Sequence, residues 1–124
     1  KLIDDAYEKT KNGTRGVLTV CFDYGGRADI VAAVNKCVES GTLVSEETFP
    51  GFLQTAGLPD PDIVVRTGGE KRISNFLLYQ MAYSELYFSD TLWPDLTEKD
   101  LDGILSVYAR TDRRFGGVDE DDNI

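Results

Sequence analysis

The chain contains no histidine, and its only cysteines are Cys21 and Cys37. The absence of histidine excludes a Ser-His-Asp or Cys-His nucleophilic site, and a histidine-ligated metal site, within this chain alone. Two cysteines are too few for a disulfide framework, and their spacing does not form a CxxC motif. Since both lie in apolar segments, we expect buried free thiols in a reducing compartment.

A long apolar run is also absent, because no stretch approaches the roughly 18 apolar residues that cross a bilayer. We therefore do not expect an integral membrane protein. Basic residues are in the minority: 13 Lys and Arg stand against 22 Asp and Glu, a net charge of −9, which argues against a nucleic-acid binder. The first ten residues are polar and helix-like, with no signal peptide and no initiating Met, so we expect further residues upstream and a cytoplasmic location.

The apolar patterns predict strands that alternate with helices, which is typical of the α/β class with a parallel sheet flanked by helices. Buried strands are predicted at 18–24, 62–67 and 85–90. The predicted helices run over 30–38 with a stop at Gly41, from Ser45 with an interruption at Pro50-Gly51, over the uniformly apolar segment 74–85, and from Thr97, with Asp100 completing a capping box. Because three parallel strands leave open edges and little core, we expect about half of a larger domain, or a piece that needs a partner.

Two of the predicted strands are followed by glycine-containing loops, at the end where parallel sheets bind ligands. The second loop carries Arg66 and Arg72, whose planar forks match phosphate oxygens, and Ser74 at the start of a predicted helix. Its glycines let backbone N–H groups approach a ligand. This predicts a phosphate or diphosphate site, but the spacing equally fits a simple turn with solvated arginines. The first loop, Gly25-Gly26-Arg27, is better explained by a tight turn into a helix, with Arg27 in solvent.

Glu85 ends the predicted apolar helix among aromatic and aliphatic neighbours, so its carboxylate needs a partner. It could pair with an arginine, which composition favours, or help to hold Mg²⁺ on a diphosphate. The basic segment 110–117 fits a helix end, because cations suit the C-terminal dipole and Gly116 suits a stop. Alternatively, it brings an arginine into a phosphate site across a subunit interface.

These segments together resemble the cis-prenyltransferases, the undecaprenyl (polyprenyl) diphosphate synthase family. The segment DIVVRTGGEKRISNFLLYQMAYSELYFSDTLWPDLTEKDL is similar to the family's signature region, CFDYGGRADIVAAV to the strand and helix before it, and RRFGG to its C-terminal motif. The resemblance covers essentially all of residues 1–118. It implies the C-terminal half of an undecaprenyl-diphosphate-synthase-like domain, followed by an acidic flexible tail at 119–124.

The resemblance implies an enzyme that condenses isopentenyl diphosphate with an allylic diphosphate to make a cis-polyprenyl diphosphate, using Mg²⁺. It implies that the diphosphate of isopentenyl diphosphate is bound by Arg66, Arg72 and Ser74. Glu85 falls on an acidic position of the family that supports the metal-bound diphosphate, which implies a catalytic and metal-binding role. Arg114 and Gly116 fall on the Arg-x-Gly tail of the family, which completes the site. In several members this tail completes the site of the neighbouring subunit.

One departure from the family pattern concerns its Asp-Gly-Asn-Gly-Arg-Trp-type motif, which does not occur here. The family's main Mg²⁺ ligand and its allylic site are therefore expected in a complementary N-terminal half, and this chain alone is expected to be inactive. The resemblance also implies a homodimer or heteromer with at most peripheral membrane contact. An alternative is a non-catalytic partner subunit of a heteromeric cis-prenyltransferase.

Overall fold

The computed structural model describes residues 1–111, which form an α/β arrangement of three α-helices, two parallel strands and two short 3-10 helices. The α-helices are α1 (Leu2–Thr10), α2 (Gly26–Ser40) and α3 (Glu98–Tyr108), the strands are β1 (Ile63–Arg66) and β2 (Glu85–Phe88), and the 3-10 helices are Phe49–Phe52 and Trp93–Asp95. The predicted α/β class with a parallel sheet is confirmed. The predicted boundary at residue 118 and the acidic tail at 119–124 lie outside the described residues.

The sheet consists of β1 and β2, which pair in parallel with Ile63 opposite Glu85 and Arg66 opposite Phe88. The strands predicted at 62–67 and 85–90 are confirmed. The strand predicted at 18–24 is wrong: this segment is irregular, and Phe22 is 93% exposed. Its apolar pattern requires a covering surface and a neighbouring strand, and residues 1–111 supply neither.

Helix α2 carries one side of the small core, through Ala33 and Cys37. The predicted stop is confirmed, because Gly41 adopts a left-handed backbone with φ of 63° and closes the helix. Both cysteines are free, but the prediction of buried thiols holds only for Cys37. Cys21 is exposed because residues 18–23 do not pack into the core.

The helix predicted from Ser45 is replaced by a turn and the 3-10 helix Phe49–Phe52, with Pro50 in its first turn. Proline is tolerated at that position because the N–H that it lacks would have no acceptor within the helix. This short helix packs against α2, and Leu53, which follows it, is 3% exposed. The core therefore lies between α2 and this segment.

The apolar segment 74–85 is not a helix, and this prediction is wrong. It forms successive turns in which Ser74, Asn75 and Leu77 have positive φ values of 46°, 64° and 42°. A left-handed residue interrupts the hydrogen-bond pattern of a right-handed α-helix, so three of them prevent one from forming. The apolar composition instead reflects burial of an irregular segment, since Gln80 and Met81 are buried.

Helix α3 begins as predicted, with a capping box at Thr97. The Thr97 hydroxyl accepts the Asp100 N–H at 3.3 Å, and the Asp100 carboxylate accepts the Thr97 N–H at 2.9 Å. Hydrogen bonds from Thr97 lower the pKa of the Asp100 carboxyl. Neither α3 nor any other helix within residues 1–111 is long and apolar enough to span a membrane.

Candidate diphosphate-binding site

Arg66 and Arg72 line the same cavity, which has a volume of about 100 Å³ and lies beside the two strands. Arg66 is the last residue of β1 and is half-buried. The remaining wall is aliphatic and aromatic, and consists of Val64, Val65, Ile73, Phe76, Met81, Leu86, Tyr87 and Phe88. Two arginines among otherwise aliphatic and aromatic lining residues suit a ligand with an anionic head and a short hydrocarbon body.

Arg72 makes an ion pair with Glu70, two residues earlier in the same loop. The Arg72 side chain is 63% exposed and that of Glu70 is 47% exposed. Exposed ion pairs of this kind contribute only about 0–1 kcal/mol, so an anion with several oxygens can displace the carboxylate at little cost. The pair holds Arg72 at the cavity rim without neutralising it permanently.

Gly68 and Gly69 give the loop its shape, because both have left-handed backbones with φ of 85° and 77°. Their N–H groups donate to the carbonyl oxygens of Thr91 and Ser89 at 2.9 and 3.0 Å. These two amides are therefore not free to bind a ligand, and whether other N–H groups of the loop approach one stays a prediction. The two glycine amides fasten the loop to the segment after β2.

Ser74 lies two residues beyond Arg72, on an exposed turn and outside the wall of the cavity. Because no helix starts there, the predicted contribution of a helix dipole is lost, and the side-chain group that Ser74 offers to an anion is its hydroxyl. The structure thus brings Arg66 and Arg72 together and places Ser74 beside them, but not in the same wall.

Glu85 lies at the other end of the sheet, as the first residue of β2 and not the last of a helix. The register sets Glu85 beside Ile63 and Phe88 beside Arg66, so Glu85 and Arg66 are separated by about 10 Å along the strands. Glu85 is half-buried, and within residues 1–111 no Lys or Arg lies within 4 Å of its carboxylate. The arginine pairing that composition favours is not formed in this part of the chain.

A metal centre is not formed by the described residues alone, since no three of their His, Cys, Asp or Glu side chains converge. Magnesium usually takes one or two protein carboxylates together with water and substrate phosphates. Glu85 would provide a single such carboxylate, so residues 1–111 do not fit a complete magnesium site. The tail residues Arg114 and Gly116 lie outside the described residues.

A buried polar cluster centres on Asp29, which is 1% exposed. Its carboxylate accepts hydrogen bonds from the Tyr24 hydroxyl at 2.9 Å, the Gln54 N–H at 2.9 Å and the Gln80 side-chain amide at 3.3 Å. Burial and the hydrogen bond to Asp29 raise the pKa of Tyr24 to about 12. The cluster joins α2 to Gln80, next to Met81 in the cavity wall. A lone Asp in a helix carries no local signal of such a role, because its partners are distant in sequence.

Comparison with known proteins identifies the family. A sequence model described as "Putative undecaprenyl diphosphate synthase" matches residues 1–116. The chain belongs to this prenyltransferase family. The isoprenyl transferase of Fusobacterium nucleatum is 50% identical over 119 residues, which are 95% of this chain and 51% of that protein. The isoprenyl transferase of Neisseria meningitidis serogroup A is 47% identical over 121 residues, covering 97% of this chain and 49% of its own length.

Solved structures of prenyltransferases have the same fold. A probable undecaprenyl diphosphate synthase from Campylobacter jejuni aligns with a TM-score of 0.81 and 35% identity, over 92% of this chain and 54% of that one. Lavandulyl diphosphate synthase from Lavandula x intermedia, solved with dimethylallyl diphosphate, aligns with a TM-score of 0.68 and 43% identity, over 75% and 43%. The chain spans about half the length of the curated relatives that it matches. The family resemblance seen in the sequence is confirmed.

Proposed function

We propose that this chain is the isopentenyl-diphosphate-binding, C-terminal half of a cis-prenyltransferase. The complete enzyme would condense isopentenyl diphosphate with an allylic diphosphate to make a cis-polyprenyl diphosphate. The observation that carries the proposal is the shared cavity of Arg66 and Arg72, whose other walls are apolar. A diphosphate joined to a five-carbon alkene has the anionic head and hydrocarbon body that this cavity suits.

The proposed role of the chain is to hold the nucleophilic substrate. Arg66 and Arg72 bind the diphosphate through paired guanidinium hydrogen bonds, which restrict the rotation as well as the position of the head. The alkene, fixed in this way, attacks the carbon from which the allylic diphosphate departs, and loss of a proton then gives the new double bond. Fixing two reactants in line converts a bimolecular encounter into a nearly unimolecular step.

Two further groups are proposed to complete the diphosphate site. The Ser74 hydroxyl lies two residues beyond Arg72 on the same loop and is proposed to donate to a phosphate oxygen. Arg114 and Gly116 are proposed to close the site from the C-terminal segment, in the same subunit or across the interface of a homodimer or heteromer.

Glu85 is proposed as the catalytic carboxylate of this half, with Mg²⁺ as the cofactor that supports the leaving diphosphate. Its position, about 10 Å along the sheet from Arg66, suits an action at a second diphosphate better than at the one that the arginines bind. Since Glu85 is one carboxylate, the main aspartate ligand is proposed to come from the complementary half. The chain alone is therefore expected to bind substrate without turning it over.

Calorimetric titration of isopentenyl diphosphate into the chain tests this proposal. Arg72→Ala should raise the dissociation constant at least about tenfold, since a charge-assisted hydrogen bond contributes about 1.5–3 kcal/mol. Arg15→Ala is the matched control, because Arg15 is exposed and lies far from the cavity in sequence. Each variant is first checked by circular dichroism. A folded wild-type chain that binds nothing would contradict the proposal and favour a non-catalytic partner subunit.

A further inference from the structure

The N-terminus of α2 is capped by Asn75, a residue 48 positions away from Arg27. The Asn75 carbonyl oxygen accepts the Gly26 N–H at 2.7 Å, and its side-chain Oδ1 accepts the Arg27 N–H at 2.9 Å. These are the first two amides of the helix, which have no partners within it. Gly25, at the N-cap position, has no side chain that could bond them. The first turn of α2 is therefore completed by the loop that carries Arg72 and Ser74.

The two surfaces are in close contact, which explains the pair of glycines. A Cβ atom on Gly26 would lie 2.8 Å from Leu78 Cγ and 2.9 Å from Leu78 N, and one on Gly25 would lie 2.9 Å from Asn75 Nδ2. Side chains larger than hydrogen at these positions would push the turn away from α2. The contact between residues 25–27 and 75–78, which we call the Asn75 junction, thus has a fixed separation.

The turn next to the junction has a backbone that needs outside support. Ser74, Asn75 and Leu77 all have positive φ values, which asparagine tolerates but serine and leucine rarely adopt. Such conformations persist only where surrounding contacts hold them. The cavity is lined by Arg72 and Ile73, which precede this turn, and by Phe76, which lies within it. A change at Asn75 would therefore move the walls of the cavity.

We propose that Asn75 is a positioning residue, which fixes the loop of Arg72 and Ser74 against α2 and thereby sets the affinity for the substrate diphosphate. The inference rests on the proposed function of the Arg66 and Arg72 cavity. Asn75 does not line that cavity, so its effect passes through the loop and not through contact with the ligand.

The test compares Asn75→Gly with Asn35→Gly. Asn75→Gly keeps the left-handed backbone accessible and removes only the side-chain cap, whereas Asn35→Gly weakens α2 at an exposed position away from the junction. Asn75→Gly should raise the dissociation constant for isopentenyl diphosphate about fivefold or more, as expected for one lost hydrogen bond, and should accelerate hydrogen exchange at the Arg27 amide. Asn35→Gly should leave the dissociation constant within about twofold of wild type.

Two further variants, Gly26→Ala and Asn75→Asp, keep the test informative if Asn75→Gly does not fold, as judged by its circular dichroism. Gly26→Ala approaches the junction from the α2 side and should weaken binding in the same way, whereas Gly103→Ala, where no atom would contact the new Cβ, should not. Asn75→Asp keeps an oxygen acceptor and should retain slow exchange at the Arg27 amide.

The outcomes separate this inference from the proposed function. If the folded wild-type chain binds no isopentenyl diphosphate, the proposed function fails. If wild type binds and Asn75→Gly binds equally well, or Asn35→Gly weakens binding as much, only the positioning role of Asn75 is overturned. Rapid exchange at the Arg27 amide in Asn75→Asp would also overturn it.

Discussion

Replacing Asp29 by alanine should destabilise the chain by about 3 kcal/mol. Three donors lose their acceptor, and hydrogen bonds to a charged group contribute about 1.5–3 kcal/mol each. The losses are unequal: the Gln80 amide still donates to Thr55 at 3.0 Å, and the partly exposed Tyr24 hydroxyl can bind water. Removing a buried carboxylate also recovers its desolvation cost, which keeps the total well below the sum of three bonds.

Asp29→Asn separates the loss of the charge and one acceptor oxygen from the loss of the whole side chain. Its oxygen can still accept the Gln54 N–H, but its amide group replaces the oxygen that accepts from both Tyr24 and Gln80. The Gln80 amide then meets another donor, whereas the Tyr24 hydroxyl can rotate and accept from the new amide. We expect a loss of about 1–2 kcal/mol, which is smaller than for alanine because one of the three donors keeps its acceptor and the Tyr24 hydroxyl can reverse its role. Asp102→Ala is the control, since Asp102 is an exposed residue of α3 whose replacement should change stability by less than about 0.5 kcal/mol.

Urea denaturation, followed by circular dichroism, measures these differences. With a denaturant dependence of about 1.5 kcal/mol per M, Asp29→Ala should lower the midpoint by about 2 M. If Asp29→Ala matches Asp102→Ala, the cluster does not stabilise the fold. If Asp29→Asn is more stable than wild type, the desolvation cost of the carboxylate exceeds the strength of its hydrogen bonds, and the reasoning is refuted.

Three further predictions concern other parts of the chain. The pKa of Tyr24 is about 12 in the folded chain, against an ordinary value of 10.0. The stability that the protonated Tyr24 hydroxyl contributes is therefore complete below pH 10 and is lost as pH rises from 10 to 12. Tyr24→Phe should flatten this part of a stability–pH profile, and an unchanged slope would contradict the prediction. Gly69→Ala should cost about 1–2 kcal/mol in thermal denaturation because its φ is 77°, whereas Gly51→Ala, in open space, should be nearly neutral; equal effects would count against the loop geometry. Thr97→Ala should cost about 1 kcal/mol in urea denaturation through loss of the α3 cap, whereas the exposed Thr19→Ala should not; a stable Thr97→Ala would argue against the capping box.

The sequence alone determined the features that depend on near neighbours. Gly41 ends α2 and Thr97 begins α3 because each acts on amides or carbonyls within one helical turn. The short apolar runs at 62–67 and 85–90 identified both strands, and the order of motifs identified the family. The sequence also indicated that Arg66 and Arg72 flank one loop at the end of a strand, and both line one cavity.

Tertiary contacts decided the structure of segments whose local pattern was ambiguous. An apolar run predicts burial but not the shape of the buried backbone, so 74–85 became a series of turns. Such a run does not say what covers it either, so 18–24 lies exposed within residues 1–111.

The site shows the same division between local and distant interactions. The amides of Gly68 and Gly69 bond the segment after β2, and the register of the strands, not spacing along the chain, separates Glu85 from the arginines. Asn75 caps α2 only because the chain folds back on this helix, so that Asn75 contacts Arg27 from 48 residues away. Local propensity depends on neighbouring residues, whereas hydrogen-bond partners and buried surfaces depend on the whole fold.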